Sequence, residues 1–289
     1  MNRITVILLA GSLLGAAASA QERLEPRSSF VVNFDFARFR NDDTTNYVEL
    51  YIACFPQLVT LSRVGERYEG YVELVTRITS TTTGEDVVNN RSFMPVSAKD
   101  TGDVSYHQTL ITQMGYVVPH GEYLLSVTAK DSLAPSRRDT LLLSLNTGGE
   151  KTQLSASDIE LCSNIRQSQN TSDPFYKNLH EVVPNPTLLF GTANFPVIFH
   201  YLELYNLVPD ETYIIKTIVA DMSGKPLLEA SKKRKYGIKN AVEVGTTNAT
   251  KLESGKYRFQ VFVLSSLSQP LVRTEKTVYG YNPEINAPV

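Results

Sequence analysis

Two five-residue stretches carry the side chains best suited to chemistry. "YVELY" at 47–51 and "YLELY" at 201–205 each set a carboxylate between two phenols. Alternate residues of an extended strand share a face, so Tyr47, Glu49 and Tyr51 point one way; Tyr201, Glu203 and Tyr205 do the same. Such a face can stack its rings on a sugar or peptide while the acid accepts hydrogen bonds. The same pattern equally suits cross-strand aromatic pairing, or an interface between two sandwiches. Two further strand carboxylates, Asp35 and Asp158, could join Glu49 and Glu203 in an acid–base pair. Strand carboxylates of this kind more commonly face solvent or bond a neighbouring strand.

Little else in the chain has the spacing that chemistry needs. The four histidines stand at 107, 120, 180 and 200, with no metal-binding spacing among them, and Cys-x-x-Cys is absent. His200 shares a face with Ile198, Leu202 and Leu204, which reads as a satisfied, partly buried side chain. No phosphate loop, dinucleotide fingerprint or nucleophile elbow occurs, and "NTGGEK" lacks the strand-to-helix setting for cradling phosphate. The sequence therefore assigns no catalytic residue, no metal and no cofactor. Cys54 lies with Val48, Leu50 and Ile52 on a core-like face, while Cys162 points with Asp158 and Glu160, away from Ile159, Leu161 and Ile165. One buried and one exposed sulfur argue against a Cys54–Cys162 disulfide.

The elements that would position these groups are strands. In "FVVNFDFARF", Phe30, Val32, Phe34 and Phe36 alternate with Asn33 and Asp35. Further strands are expected at 46–55, 68–80, 85–93, 104–114, 121–130 and 138–146, separated by turns such as "NDDTTN" and "TTTGED". Seven short strands in about 120 residues point to a two-sheet sandwich. After "NTGGEKTQ" the series restarts at 154–165, 197–206, 211–221, 226–235, 240–247, 255–264 and 270–280. Between them, 166–196 carries Pro174, Pro184, Pro186 and Pro196 and reads as an ordered loop over a sheet edge.

The halves also repeat in detail. "GEYLLSVTAKD" at 121–131 follows "YVELY", and "GKYRFQVFVLS" at 255–265 follows "YLELY". A tyrosine opening a strand after a glycine turn resembles the tyrosine corner, whose ring packs inside while its hydroxyl bonds nearby backbone. The expected fold is all-β: two tandem immunoglobulin-like β-sandwich domains after a signal peptide. Residues 1–20 form the signal peptide, 21–29 a short extension, 30–147 the first sandwich, 148–153 a linker, 154–281 the second sandwich and 282–289 a tail.

"MNRITVILLAGSLLGAAASA" has the basic start, short apolar run and Ala18-Ser19-Ala20 of a cleaved export signal. No later segment is apolar enough to span a membrane. With 28 basic and 30 acidic side chains, the net charge of −2 argues against nucleic acid as partner. "KKRK" at 232–235 reads as a solvated, lysine-protected hairpin edge.

"LSASDIELCSNI" (154–165), "VVPNPTLLFG" (182–191) and "YLELYNL" (201–207) resemble the region that precedes the GWxTD domain in bacterial exported proteins. The first half, from "FDFARF" through "YVELY", resembles the same region, and Ser157 to Asn206 is its specific part. The chain contains no tryptophan, so the Gly-Trp-x-Thr-Asp motif itself is absent. That implies either a short relative built only of the sandwich pair or a reading frame truncated near "YGYNPEINAPV". The resemblance implies envelope residence, periplasmic or secreted, and β architecture; that family's activity is uncharacterised, so it lends no catalytic residues. The expected function is a non-enzymatic binding or scaffold module, with another envelope protein or a missing C-terminal domain as partner. A carbohydrate- or peptide-binding module using the Tyr-Glu-Tyr faces, and a hydrolase with an unrecognised acidic site, are the alternatives.

Overall fold

Among the described residues, alternating apolar positions build fourteen principal strands, arranged as two successive sets of seven. The computed structural model describes residues 22–149 and 152–282. The first set is β1 (Val32–Arg40), β2 (Thr45–Cys54), β3 (Arg67–Ser80), β4 (Asp86–Ala98), β5 (Leu110–Pro119), β6 (Gly121–Asp131) and β7 (Arg138–Thr147). The second is β8 (Glu160–Gln167), β9 (Val197–Tyr205), β10 (Thr212–Asp221), β11 (Pro226–Lys235), β12 (Ala241–Asn248), β13 (Gly255–Ser265) and β14 (Pro270–Gly280).

Strand order repeats between the sets. β1-β2-β5 form one antiparallel sheet and β4-β3-β6-β7 its partner; β8-β9-β12 and β11-β10-β13-β14 match them strand for strand. Among the described residues no sheet joins the two sets. In each half the two sheets enclose a separate core. Val48, Leu50 and Ile52 of β2 meet Leu74 and Ile78 of β3 and Leu125 of β6. Ile198 and Leu202 of β9 meet Ile215 of β10 and Phe259 and Val261 of β13. Each such buried aliphatic contributes roughly 1.5–3 kcal/mol. The Tyr257 hydroxyl donates to the Glu253 carbonyl at 2.9 Å, as the tyrosine-corner reading expects.

Several expectations need correction. Arg23–Leu24, in the expected extension, pairs with Leu61–Val64 and so belongs to the first sandwich. The strand expected at 104–114 begins instead with a helical turn, Val104–His107, capped by the Asp103 side chain, which accepts from the Ser105 amide at 3.0 Å. The loop at 166–196 does lie on a sheet edge, but it contributes strands: His180–Pro184 pairs with β8, and Tyr176–Lys177 pairs with His180–Pro184 in turn. Leu189–Phe190 adds in parallel to β14. The expected signal peptide, part of the linker (150–151) and all of the tail beyond Asn282 lie outside the described residues.

Candidate functional site: the seam between the sandwiches

The β1-β2-β5 and β8-β9-β12 sheets turn their outer faces toward each other. β2 is consequently buried on both sides, its even-numbered residues in the first core and its odd-numbered ones in the seam. Ala37, Phe39 and Tyr51 pack there against Cys162, Val182 and Tyr201, and the Phe39 and Tyr201 rings meet edge to face at 5.9 Å.

Both Tyr-Glu-Tyr faces lie in this seam. Tyr51, Tyr201, Tyr205 and Glu49 are buried; Tyr47 and Glu203 are partly so. The rings and acids that could have received a sugar or peptide are covered by protein, the interface alternative of the sequence reading. Where the second face reaches the rim, Glu203 and Tyr205 line a groove of about 250 Å³ with Asn178 and Ile238. The Glu203 carboxylate is already engaged, accepting from the Tyr201 and Tyr205 hydroxyls at 2.8 Å each and from the Asn178 amide at 3.0 Å.

At the centre of the seam stands Lys177, in a segment whose sequence reads as an irregular loop. Its ammonium contacts Glu49 of β2 and Glu160 of β8, the latter at 2.7 Å, and lies 4.3 Å from the Phe39 ring centre and 5.0 Å from that of Tyr201. The Tyr51 hydroxyl donates to Glu49 at 2.7 Å. A hairpin turn explains the placement. Asn178 and Leu179 both adopt positive φ, 45° and 64°, reversing the chain between Lys177 and His180 so that Lys177 and Asn178 enter the seam side by side.

Burial disfavours charge on Lys177, but Glu160 and Glu49 outweigh it and hold the ammonium above the ordinary lysine range. Burial pushes the Glu160 carboxyl up, against Lys177 and with the charge on Glu49. A lysine driven in this direction stays a cation and is no nucleophile or general base, roles that need a lowered pKa.

The remaining strand carboxylates converge on the same seam, each with its own cation. Lys276 holds both Asp35 oxygens at 2.7 and 2.8 Å and donates to the Phe36 carbonyl. Arg38 grips Asp158 in two-pronged fashion at 2.7 and 2.8 Å. Arg40 stacks on Tyr205 at 4.5 Å, and its amide donates to the Tyr205 hydroxyl at 2.9 Å. Three of the four acids proposed for acid–base work, Asp35, Glu49 and Asp158, thus join the two sandwiches, while Glu203 bonds within the second. Among the described residues, no group of three or more His, Cys, Asp or Glu is arranged to hold a metal ion.

Two single residues depart from expectation. Cys162 is fully buried rather than exposed, because its strand face, shared with Glu160, is covered by the first sandwich. Cys54 belongs to the first core, and both cysteines are free thiols. His200 is buried deeper than foreseen, and neither ring nitrogen has a hydrogen-bond partner among the described residues. Its imidazole lies over Gly245, where a Cβ would come within 2.4 Å of Cε1.

No family model matches the chain, and no curated protein matches it. Solved structures similar to it include red sea bream transglutaminase (10% identity, 87% of this chain and 32% of that one, TM-score 0.23). A calcium-binding mutant of Bacteroides uniformis β-glucuronidase 2 matches at 9% identity over 90% of this chain and 33% of that one, TM-score 0.27. A β-galactosidase described as putative, from Bacteroides fragilis, matches at 6% identity over 89% and 41%, TM-score 0.27. The chain spans less than half the length of each of these three, and likeness at this level carries no argument about activity.

Proposed function

We propose that the protein is an exported, non-enzymatic binding or scaffold module of the bacterial envelope, in which two immunoglobulin-like sandwiches act as one rigid body. The observation that carries this reading is the seam: Asp35, Glu49 and Asp158 each pair with a cation of the other half, and Glu160 shares Lys177 with Glu49. Residues consumed in this way are withdrawn from solvent and from reaction, which weighs against the hydrolase alternative. The Tyr-Glu-Tyr faces are largely covered too, with Tyr47 and Glu203 only partly exposed, which weighs against their receiving a glycan or peptide. The export signal and the GWxTD-type resemblance support an envelope location, with another envelope protein or a further domain as partner.

The test is capture from a bacterial envelope extract on immobilised full-length mature chain, together with light scattering of the free protein. Retention of a defined partner is the expected result. A strict monomer that retains nothing refutes the reading.

A further inference from the structure

The outer face of the β4-β3-β6-β7 sheet is not used in joining the sandwiches. Strand register lays its outward residues on a grid. Arg77 of β3 stands opposite Ser126 of β6; Thr128 lies between Val75 of β3 and Thr140 of β7; Lys130 stands opposite Arg138 of β7. Arg77, Lys130 and Arg138, with the hydroxyls of Ser126, Thr128 and Thr140, line a shallow concavity of about 450 Å³. Among the described residues no carboxylate lines it. The nearby Glu73 is taken by Arg91 at 2.9 Å and lies 3.7 Å from Lys130. Among the described residues, the exposed Arg77 and Arg138 have no ion-pair partner.

This arrangement is costly for a sheet. Like charges directly opposite each other, as Lys130 and Arg138 are, destabilise the pairing of their strands. The second sandwich shows that the fold does not require it. At matching positions it carries Lys216, Ile218, Gln260, Phe262 and Arg273, and its two cations are neutralised by Glu229 at 2.8 Å and Glu275 at 2.5 Å. Arg77, Lys130 and Arg138 thus share one carboxylate, Glu73, where the second sandwich gives each of its cations at matching positions an acid of its own, within a chain whose net charge is −2.

We propose that this face binds an acidic polysaccharide, a chain of sugars bearing carboxylates. The inference rests on the binding-module reading and names the surface and ligand class for it. With strands ~4.8 Å apart and outward residues ~6.7 Å apart along each strand, the Arg77 and Arg138 backbones lie about 16 Å apart diagonally, with the hydroxyl row between them. Carboxylates fit the cations at the two ends, and sugar hydroxyls fit Ser126, Thr128 and Thr140 between. A peptide is less well matched. Extended peptides are held by main-chain hydrogen bonds at a sheet edge and helices by apolar grooves, whereas the backbones of β3 and β6 are paired on both sides and the lining is polar.

Affinity electrophoresis of the full mature chain tests this, with polygalacturonate as probe, dextran as the neutral polymer and polyglutamate as the acidic polypeptide. Polygalacturonate should retard the protein, less so in 0.5 M salt, where screening shortens to about 4–5 Å; dextran should not. Arg77→Glu with Arg138→Glu should weaken retardation at least about tenfold, from the loss of two charge-assisted contacts. Lys233→Glu with Lys239→Glu, the same charge change on the second sandwich, should leave it unchanged, with all variants matching the parent by circular dichroism. Absence of retardation by polygalacturonate, or an unaffected double arginine variant, overturns the inference. Polyglutamate held as tightly as polygalacturonate overturns it too, since charge alone would then be recognised. If wild type ignores polygalacturonate yet still captures an envelope partner, this inference falls and the module reading stands.

Discussion

Replacing Lys177 by Met removes the cation from the seam while keeping an unbranched side chain of similar length. Glu49 and Glu160 then face each other in a buried interface without their counter-charge. Breaking a buried ion pair on one side costs about 3–5 kcal/mol, since the abandoned charge stays desolvated. Glu160 can take a proton, so the expected penalty is that of one stranded carboxylate, about 4 kcal/mol. At roughly 2–4 °C per kcal/mol for a chain of this size, the melting temperature should fall by roughly 8–16 °C in calorimetry. Neutralising the acids as well, in Lys177→Met/Glu49→Gln/Glu160→Gln, should restore most of the loss. The pH dependence has a definite sign. Lys177 has a raised pKa in the fold, so its contribution is complete below the ordinary lysine value of 10.5 and is lost as pH rises through the folded value. Glu160, also raised, binds its proton more tightly folded than unfolded, so stability declines as pH climbs from 4.5 through its folded value. Losing the lysine should steepen that decline and remove the alkaline loss. A Lys177→Met protein melting within 2 °C of wild type, or a triple variant no better than the single, would refute the seam as a stabilising clasp.

Gly245→Ala should cost about 1–3 kcal/mol in urea denaturation, because the new methyl meets the His200 ring at 2.4 Å, and His200→Ala in the same chain should remove most of that penalty. Burial, with a smaller push from Lys232, lowers the His200 pKa to about 3. Between pH 6.5 and about 3 the unfolded chain alone takes up this proton, so stability should fall toward acid by up to about 1.4 kcal/mol per pH unit; urea midpoints of His200→Leu should show a shallower fall, and parallel curves would contradict the assignment. Leu179 holds φ at 64° with its side chain exposed, so Leu179→Gly should relieve strain and raise stability by about 0.5–1 kcal/mol; a loss beyond 1 kcal/mol would show that the side chain matters to the turn.

Strand positions were legible because period-two alternation records a one-sided core, and the paired "YVELY" and "YLELY" segments exposed the repeat. What lies over the outer face of a strand leaves no such record. Alternation placed Tyr47, Glu49 and Tyr51 on one face, and Cys162 with Glu160 on another, correctly in both cases. It does not distinguish water from a second protein layer, so it points Cys162 to solvent and leaves the tyrosine faces open to ligands. Lys177 was invisible for a different reason. It sits in a two-residue strand before a tight turn, within a proline-rich segment too short in regular pairing to show any period. The turn carries one signal, an asparagine at its first positive-φ position, but the leucine after it masks the usual Asn-Gly signature.

The repeated motif raises a problem of specificity that the seam resolves. Two faces of the same Tyr-Glu-Tyr pattern, presented by equivalent sheets, could pair first sandwich with first sandwich between chains as readily as with the second within one chain. The hairpin at 176–184 has no counterpart in the first half, and adjacent residues of its turn serve both motifs: Lys177 reaches Glu49 of the first, while Asn178 reaches Tyr201 and Glu203 of the second. A pairing of two first sandwiches would lack this lysine and would bury Glu49 without a cation. A desolvated carboxylate without its counter-charge disfavours that arrangement, so an insertion confined to one copy favours the unlike partner.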